Sequence, residues 1–314
     1  MSGWGVRLIL LLNRLFPLLP MHRELHAAKL DEATYQAWEY AEAERIHRDW
    51  GPEWNLAGKR VLDVGCGLGG KLAFYAQCGA GRVIGLDLRP ASARAAQALA
   101  IKRGIADRVD VIVADAARLP FALESFDVLV SVNVMEHVEN PRLVLESSWR
   151  VLKRTGLAFL HFPPYFSPWG SHLEGWIHFP WPHLLFSEKT LIAALQRIEA
   201  QKQLDKGYIA QAQVSWDKLE ALPELNKLTS HRFQSLLRRT GWRQVRCRWL
   251  PFAYQFLRDR GWVGRLLLAL VQMFSSLPGV REILTTKMVF VLQPRSSQKS
   301  VSYTHLTLPT IYSV

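Results

Sequence analysis

The sequence predicts an α/β fold built on a mostly parallel sheet. Three observations predict it. Short apolar runs recur from residue 60 to residue 162, with helix-like segments between most of them. Those runs are apolar nearly throughout rather than alternating, as strands covered on both faces are. A glycine-rich turn, Gly65-Cys66-Gly67-Leu68-Gly69-Gly70, follows the first run directly.

Taken in order, RVLDV (60–64) is the first strand and Lys71–Cys78 the first crossover helix. RVIGLD (82–87) is the second strand, followed by an alanine-rich helix over Ala91–Arg103. VDVIVAD (109–115) and FDVLVSV (126–132) are the third and fourth. A helix from Pro141 to about Lys153 is expected to stop near Gly156, and LAFLHF (157–162) is the fifth strand. Helices are expected at Thr190–Ala200 and, basic and amphipathic, at Lys227–Gly241. VRCRWLPF reads as a sixth strand and TKMVFVLQP (286–294) as a seventh. In such sheets ligands bind beyond the carboxyl ends of the strands.

Acidic residues stand at those ends. Asp63 closes the first run, Asp87 the second and Asp115 the third. Asp87 is 20 residues past Gly67, where a carboxylate can accept from both hydroxyls of a ribose. Three carboxylates around one pocket repel a pyrophosphate. They suit a ligand carrying a ribose, an ammonium and a sulfonium, which favours S-adenosylmethionine over NAD. Asp63 or Asp115 could instead serve only as a cap.

VLDVGCGLGG, GLDL, VADAARLPF, FDVLVSVNVMEHVENP and RVLKRTG, in that order, resemble the class I S-adenosylmethionine-dependent methyltransferases, and most the branch with quinone and small-molecule methyltransferases. The resemblance covers about residues 56–163. It implies a Rossmann-like seven-stranded sheet, mostly parallel with the last strand antiparallel, carrying helical additions. It implies S-adenosylmethionine as cofactor. Gly65, Gly67 and Gly69 would line the methionine end and Asp63 the amino group. Asp87 and Leu88 would meet the ribose, Asp115 and Ala116 the adenine, and Val132 and Asn133 the sulfonium. Some quinone methyltransferases carry a glutamate where Asn133 stands, linked there to a divalent cation, so no metal is expected in this chain.

Methyl transfer from a sulfonium is an in-line displacement, in which alignment and exclusion of water matter most. A hydroxyl acceptor also needs a base. The candidates are His137, His161, Tyr165 and His172. Each could alternatively be a structural residue. The four histidines of residues 161–183 have no compact metal-ligand spacing.

HFPPYFSPWGSHLEGWIHFPWPHLLF (161–186) holds five prolines and eight aromatic side chains. Prolines fix a path without regular structure, and Trp169, Trp176 and Trp181 add apolar area with N–H groups for orientation. The stretch reads as a lid over an apolar acceptor, or else as a packed excursion with no ligand contact.

The chain has 314 residues, and the net charge of +12 lies in its last third. Residues 227–300 contain fourteen Lys and Arg against Asp259 and Glu282, and the rest of the chain has twenty-five charges of each sign. Such a face suits the phosphates of lipid headgroups or nucleic acid. The start, MSGWGVRLILLLNRLFPLLP, is too interrupted to span a bilayer and fits an interfacial helix or a cap on the core; Leu266–Phe274 fits the same two readings. Cys66, Cys78 and Cys247 are far apart, which points to a reducing compartment.

The expected organisation is an N-terminal helical or interfacial segment (1–55), a cofactor-binding core (56–163), a lid and helical insertion (164–226), and the C-terminal part of the sheet with a basic amphipathic insertion (227–300). The tail VSYTHLTLPTIYSV (301–314) back-translates to a sequencing-adapter sequence and is read as an artefact. The function expected is methylation of an oxygen or carbon of a small lipophilic or lipid-linked acceptor by a cytoplasmic enzyme, docked peripherally on an anionic membrane face. The alternatives are an RNA methyltransferase, against which the absence of an RNA-binding module counts, and a non-catalytic binder of an adenosyl ligand.

Overall fold

The computed structural model describes residues 3–16, 31–204, 225–252, 254–257, 260–275, 277 and 279–295. The adapter-like tail and most of the polar insertion after residue 204 lie outside these. Backbone contacts divide the chain into two interleaved units. One comprises residues 31–162, 231–248 and 288–314; the other comprises residues 1–30, 163–230 and 249–287.

The sheet has seven strands: β1 Arg60–Val64, β2 Arg82–Asp87, β3 Val109–Val113, β4 Phe126–Val132, β5 Leu152–Phe162, β6 Trp242–Pro251 and β7 Thr285–Pro294. Their order is β3-β2-β1-β4-β5-β7-β6. β1 runs parallel to β2 and β4, and its order-reversing position makes the ends of β1 and β4 the switch point where open α/β sheets bind ligands. β7 pairs antiparallel with β5, Phe162 facing Met288 and Ala158 facing Leu292. The expected Rossmann-like, mostly parallel seven-stranded sheet is the one observed.

The helices of this unit are α2 Glu32–Ile46, α3 Gly70–Gln77, α4 Pro90–Lys102, α5 Pro141–Val151 and α8 Ser230–Arg239. Proline opens α4 and α5 at their first turn, where its missing N–H costs nothing. Asn140 caps α5 by accepting from the amides of Arg142 and Leu143. α5 stops at Val151, and β5 begins at Leu152, earlier than the expected helix end and strand start. Leu152 is extended and pairs with Phe126, and a shift in register between Phe126 and Val128 takes up the difference. β3 ends at Val113, so Asp115 lies past the strand rather than within it. Trp50 and Phe159 are fully buried and their rings meet with centroids 5.5 Å apart; Phe162 packs on Phe233 at 4.8 Å.

The second unit holds α1 Gly3–Leu15, α6 Pro182–Leu185, α7 Glu188–Leu204, α9 Tyr254–Leu257 and α10 Gly261–Ser275. Val6 and Ile9 of α1 are buried with Leu173, Ile177, Leu191 and Leu195. Asn13 donates to the Trp176 carbonyl at 2.6 Å and accepts from the His178 amide at 3.0 Å. One face of α1 is therefore a packed face. Its Asn13, which interrupts the apolar run in the sequence, anchors the proline-rich stretch. Within that stretch the indole N–H groups are used locally: Trp176 donates to Glu199, and Trp181 to the Ile283 carbonyl at 2.9 Å.

Candidate active site

The candidate site is built around the turn between β1 and α3. Gly65, Gly67 and Gly69 have φ of +77°, +61° and +92°, which residues with a Cβ rarely adopt. The amides of Gly65 and Cys66 both donate to the Leu86 carbonyl at the end of β2, which holds the turn against the neighbouring strand. A Cβ on Gly65 would lie 2.3 Å from Val134, so a glycine here also admits the loop after β4.

Asp63 is fully buried, and neither carboxylate oxygen has a hydrogen-bond partner. Burial raises its pKa to about 7, even though the Lys71 ammonium favours the charged form. Lys71 is itself buried and donates to the Gly65 carbonyl at 3.0 Å. Burial opposes its charge, but Asp63 and Glu39 outweigh that and push its pKa up. Asp87 accepts from the Gly67 amide at 3.1 Å and the Arg89 amide at 2.9 Å, so its carboxylate is pinned at the end of β2. Leu88 beside it is 69% exposed. Asp115 accepts from the Ala117 amide and starts the short turn Ala116–Arg118, the capping role that the sequence left open.

After β4, buried Val132 leads to Asn133, which has a φ of +55°, a conformation asparagine tolerates better than most residues. Its amide donates to the His161 carbonyl. His137 follows in the same loop, partly exposed, its Nε2 4.0 Å from the buried Glu136 carboxylate. His161 is fully buried on β5. Asp63, Asp87, the glycines, Val132, Asn133, His137 and His161 thus belong to one unit. Tyr165 and His172 belong to the other. There the Tyr165 ring stands 5.0 Å from that of His183, whose Nε2 is 2.8 Å from the Tyr165 carbonyl. Burial lowers the His183 pKa to about 4, so it is neutral near pH 7.

Three residues around the turn were not among those expected. Glu39, on α2, accepts from the amides of Leu68 at 3.2 Å and Gly70 at 2.9 Å. Lys71 places a buried cation between Glu39 and Asp63. Gln36, one turn before Glu39, donates to the Leu68 carbonyl. The signal was in EATYQAWEYAEAERI, where Gln36 and Glu39 share a face with Ala43 and Ile46. A polar pair on a buried helix face is informative because it needs partners.

Residues 62–160 match the methyltransferase-domain family. Over 125 residues the chain is 38% identical to an uncharacterized methyltransferase of Mycobacteroides abscessus, covering 40% of this chain and 47% of that one. Over 105 residues it is 38% identical to the ubiquinone biosynthesis O-methyltransferase of Pseudomonas fluorescens, covering 33% and 44%. The chain therefore spans about half the length of the curated relatives it matches. Among solved structures, a geranyl diphosphate methyltransferase in complex with S-adenosylmethionine superposes with a TM-score of 0.51 at 17% identity, covering 86% of this chain and 94% of that one. At that identity the likeness is one of fold. The family match and the seven-stranded sheet agree, and residues 62–160 of this chain are similar to a methyltransferase domain.

Proposed function

We propose that this chain is an S-adenosylmethionine-dependent methyltransferase acting on an oxygen or carbon of a small lipophilic acceptor. The observation that carries the reading is Asp63. A fully buried carboxylate with no hydrogen-bond partner is costly, and a cationic donor group supplied by a ligand satisfies it. The surrounding residues fit the same ligand. Asp87 is fixed where it accepts from ribose hydroxyls, Leu88 offers an apolar face, and Asp115 with Ala116 stands at the next strand end. The cofactor supplies an electrophilic methyl group on a sulfonium.

The residues of the chain then bind, orient and exclude water. Asp63 would neutralise the ammonium, Asp87 would hold the ribose, and Val132 and Asn133 would border the methyl group. Where the acceptor is a hydroxyl, His137 would take its proton. A lipophilic acceptor is supported by the similar proteins, which include ubiquinone and geranyl diphosphate methyltransferases.

The test is label transfer from methyl-labelled S-adenosylmethionine into a cell extract, followed by partition. Label in the organic phase is expected. Label in RNA would overturn the acceptor class, and no transfer at all would reduce the chain to a binder of the adenosyl ligand.

A further inference from the structure

α10 is a fifteen-residue helix, GWVGRLLLALVQMFS, with no acidic residue and Arg265 as its one cation. Two of its residues, Gly264 and Leu268, are buried. A Cβ on Gly264 would lie 2.0 Å from the Leu257 carbonyl, so this glycine is what lets α10 lie close against α9. That contact decides which face points inward. The outward face carries Trp262, Leu266, Leu270 and Phe274 at helical spacing, with Val263, Leu267 and Met273 beside them, all exposed. Trp262 is 72% exposed, and Leu277 continues the apolar surface past the helix end. Bulky apolar surface of this extent on a folded protein marks an interaction site.

We infer that the exposed face of α10 docks on an anionic lipid surface. Charge selects that occupant. Arg260, Arg265 and Arg281 are exposed on or beside α10, and residues 249–287 of the same unit contain five Lys and Arg in sequence against Asp259 and Glu282. Two copies meeting through this region would bring like charges together, whereas acidic headgroups attract them. Among the described residues no helix is long and apolar enough to cross a membrane, so α10 lies in the interface, with its apolar face toward the acyl boundary and its arginines among headgroups. α1 repeats the pattern in the same unit: opposite its buried Val6 and Ile9, it exposes Trp4, Leu11 and Leu15 along one line. The inference is independent of the methyl-transfer reading and is read without any activity measurement.

The test is cosedimentation of the full chain with vesicles of phosphatidylcholine alone or mixed with phosphatidylglycerol, alongside sedimentation velocity without lipid. The wild type is expected to pellet with the anionic vesicles, and binding is expected to weaken as salt rises from about 0.05 to about 0.5 M. Leu266→Ser/Leu270→Ser/Phe274→Ser should lower the partition at least tenfold with unchanged thermal unfolding, because these side chains are already exposed. Arg265→Glu should remove the preference for anionic lipid. Wild-type partition by the triple variant, or no binding to either vesicle, overturns the inference. So does a lipid-free dimer that the triple variant dissolves, which would make the face a self-association surface.

Discussion

Glu39 reaches from α2 to the amide of Gly70, the first residue of α3, and accepts from it at 2.9 Å, with the Leu68 amide on its other oxygen at 3.2 Å. A helix far upstream thereby supplies the carboxylate that the amino-terminal end of α3 favours. Glu39→Ala leaves two donors without acceptors, the buried Gly70 amide and the partly buried Leu68 amide. The expected cost is about 2 kcal/mol or more, read by urea unfolding, and Glu39→Gln should cost less because its one amide oxygen still accepts from one of the two amides. An unchanged midpoint in the alanine variant would show that the loop is held without this carboxylate.

Lys71→Met removes the cation between two buried carboxylates. At pH 7 the loss should approach about 3 kcal/mol, as for other buried charges left without a partner. Near pH 5 the loss should shrink, because burial keeps the Asp63 carboxyl protonated below pH 7 and one of the two repelling charges is then absent. Equal destabilisation at both pH values would mean that Asp63 is not part of the cluster.

The raised pKa of Asp63 sets the sign of two pH dependences. The native state holds a proton that the unfolded chain has lost, so this group makes the ligand-free protein less stable as pH rises from about 4 to about 7. Binding of an ammonium favours the ionised form and expels that proton. Affinity for S-adenosylhomocysteine, measured by calorimetry, should therefore fall up to tenfold per pH unit below about 7. In Asp63→Asn the affinity should be weaker throughout and lack this slope; a wild-type slope in that variant would assign the proton to another group.

Asp87→Ala should abolish detectable cofactor binding while the fold persists. A stability loss of about 1 kcal/mol is expected as well, since the Gly67 amide loses its acceptor. Unchanged affinity would refute the ribose assignment.

Gly65→Ala meets two obstacles, a φ of +77° and Val134 at 2.3 Å. In a Val134→Ala background the steric part disappears and only the backbone cost of about 1–2 kcal/mol remains. The double variant should thus unfold later than the sum of the singles requires. Strict additivity would show that the loop after β4 already yields.

The strands, their order of appearance and the acids at their ends were legible because β1 and β2 are mainly apolar runs, β1 followed by Gly65 and β2 ending in Asp87. What the sequence concealed were relations across distance. Glu39 and Lys71 look like surface charges on helices until the turn folds against α2 and buries both. The boundary at Val151 was hidden because Leu152 suits a helix and a strand equally, and its pairing with Phe126 decides between them. Asp115 reads as a ligand residue by position, while its bond to the Ala117 amide also makes it a cap. Asn13, which interrupts an apolar run, is in the fold the residue that ties α1 to the carbonyl of Trp176 and the amide of His178.

The antiparallel partner of β5 is β7, and β7 is synthesised long after β5. A growing chain on the ribosome therefore carries an open strand edge, LAFLHF, through the making of the aromatic stretch, the polar insertion and α10. Exposed apolar edges recruit other strands. Until Thr285–Pro294 emerges that edge lacks its strand partner, and a chain cut short before that point is expected to aggregate.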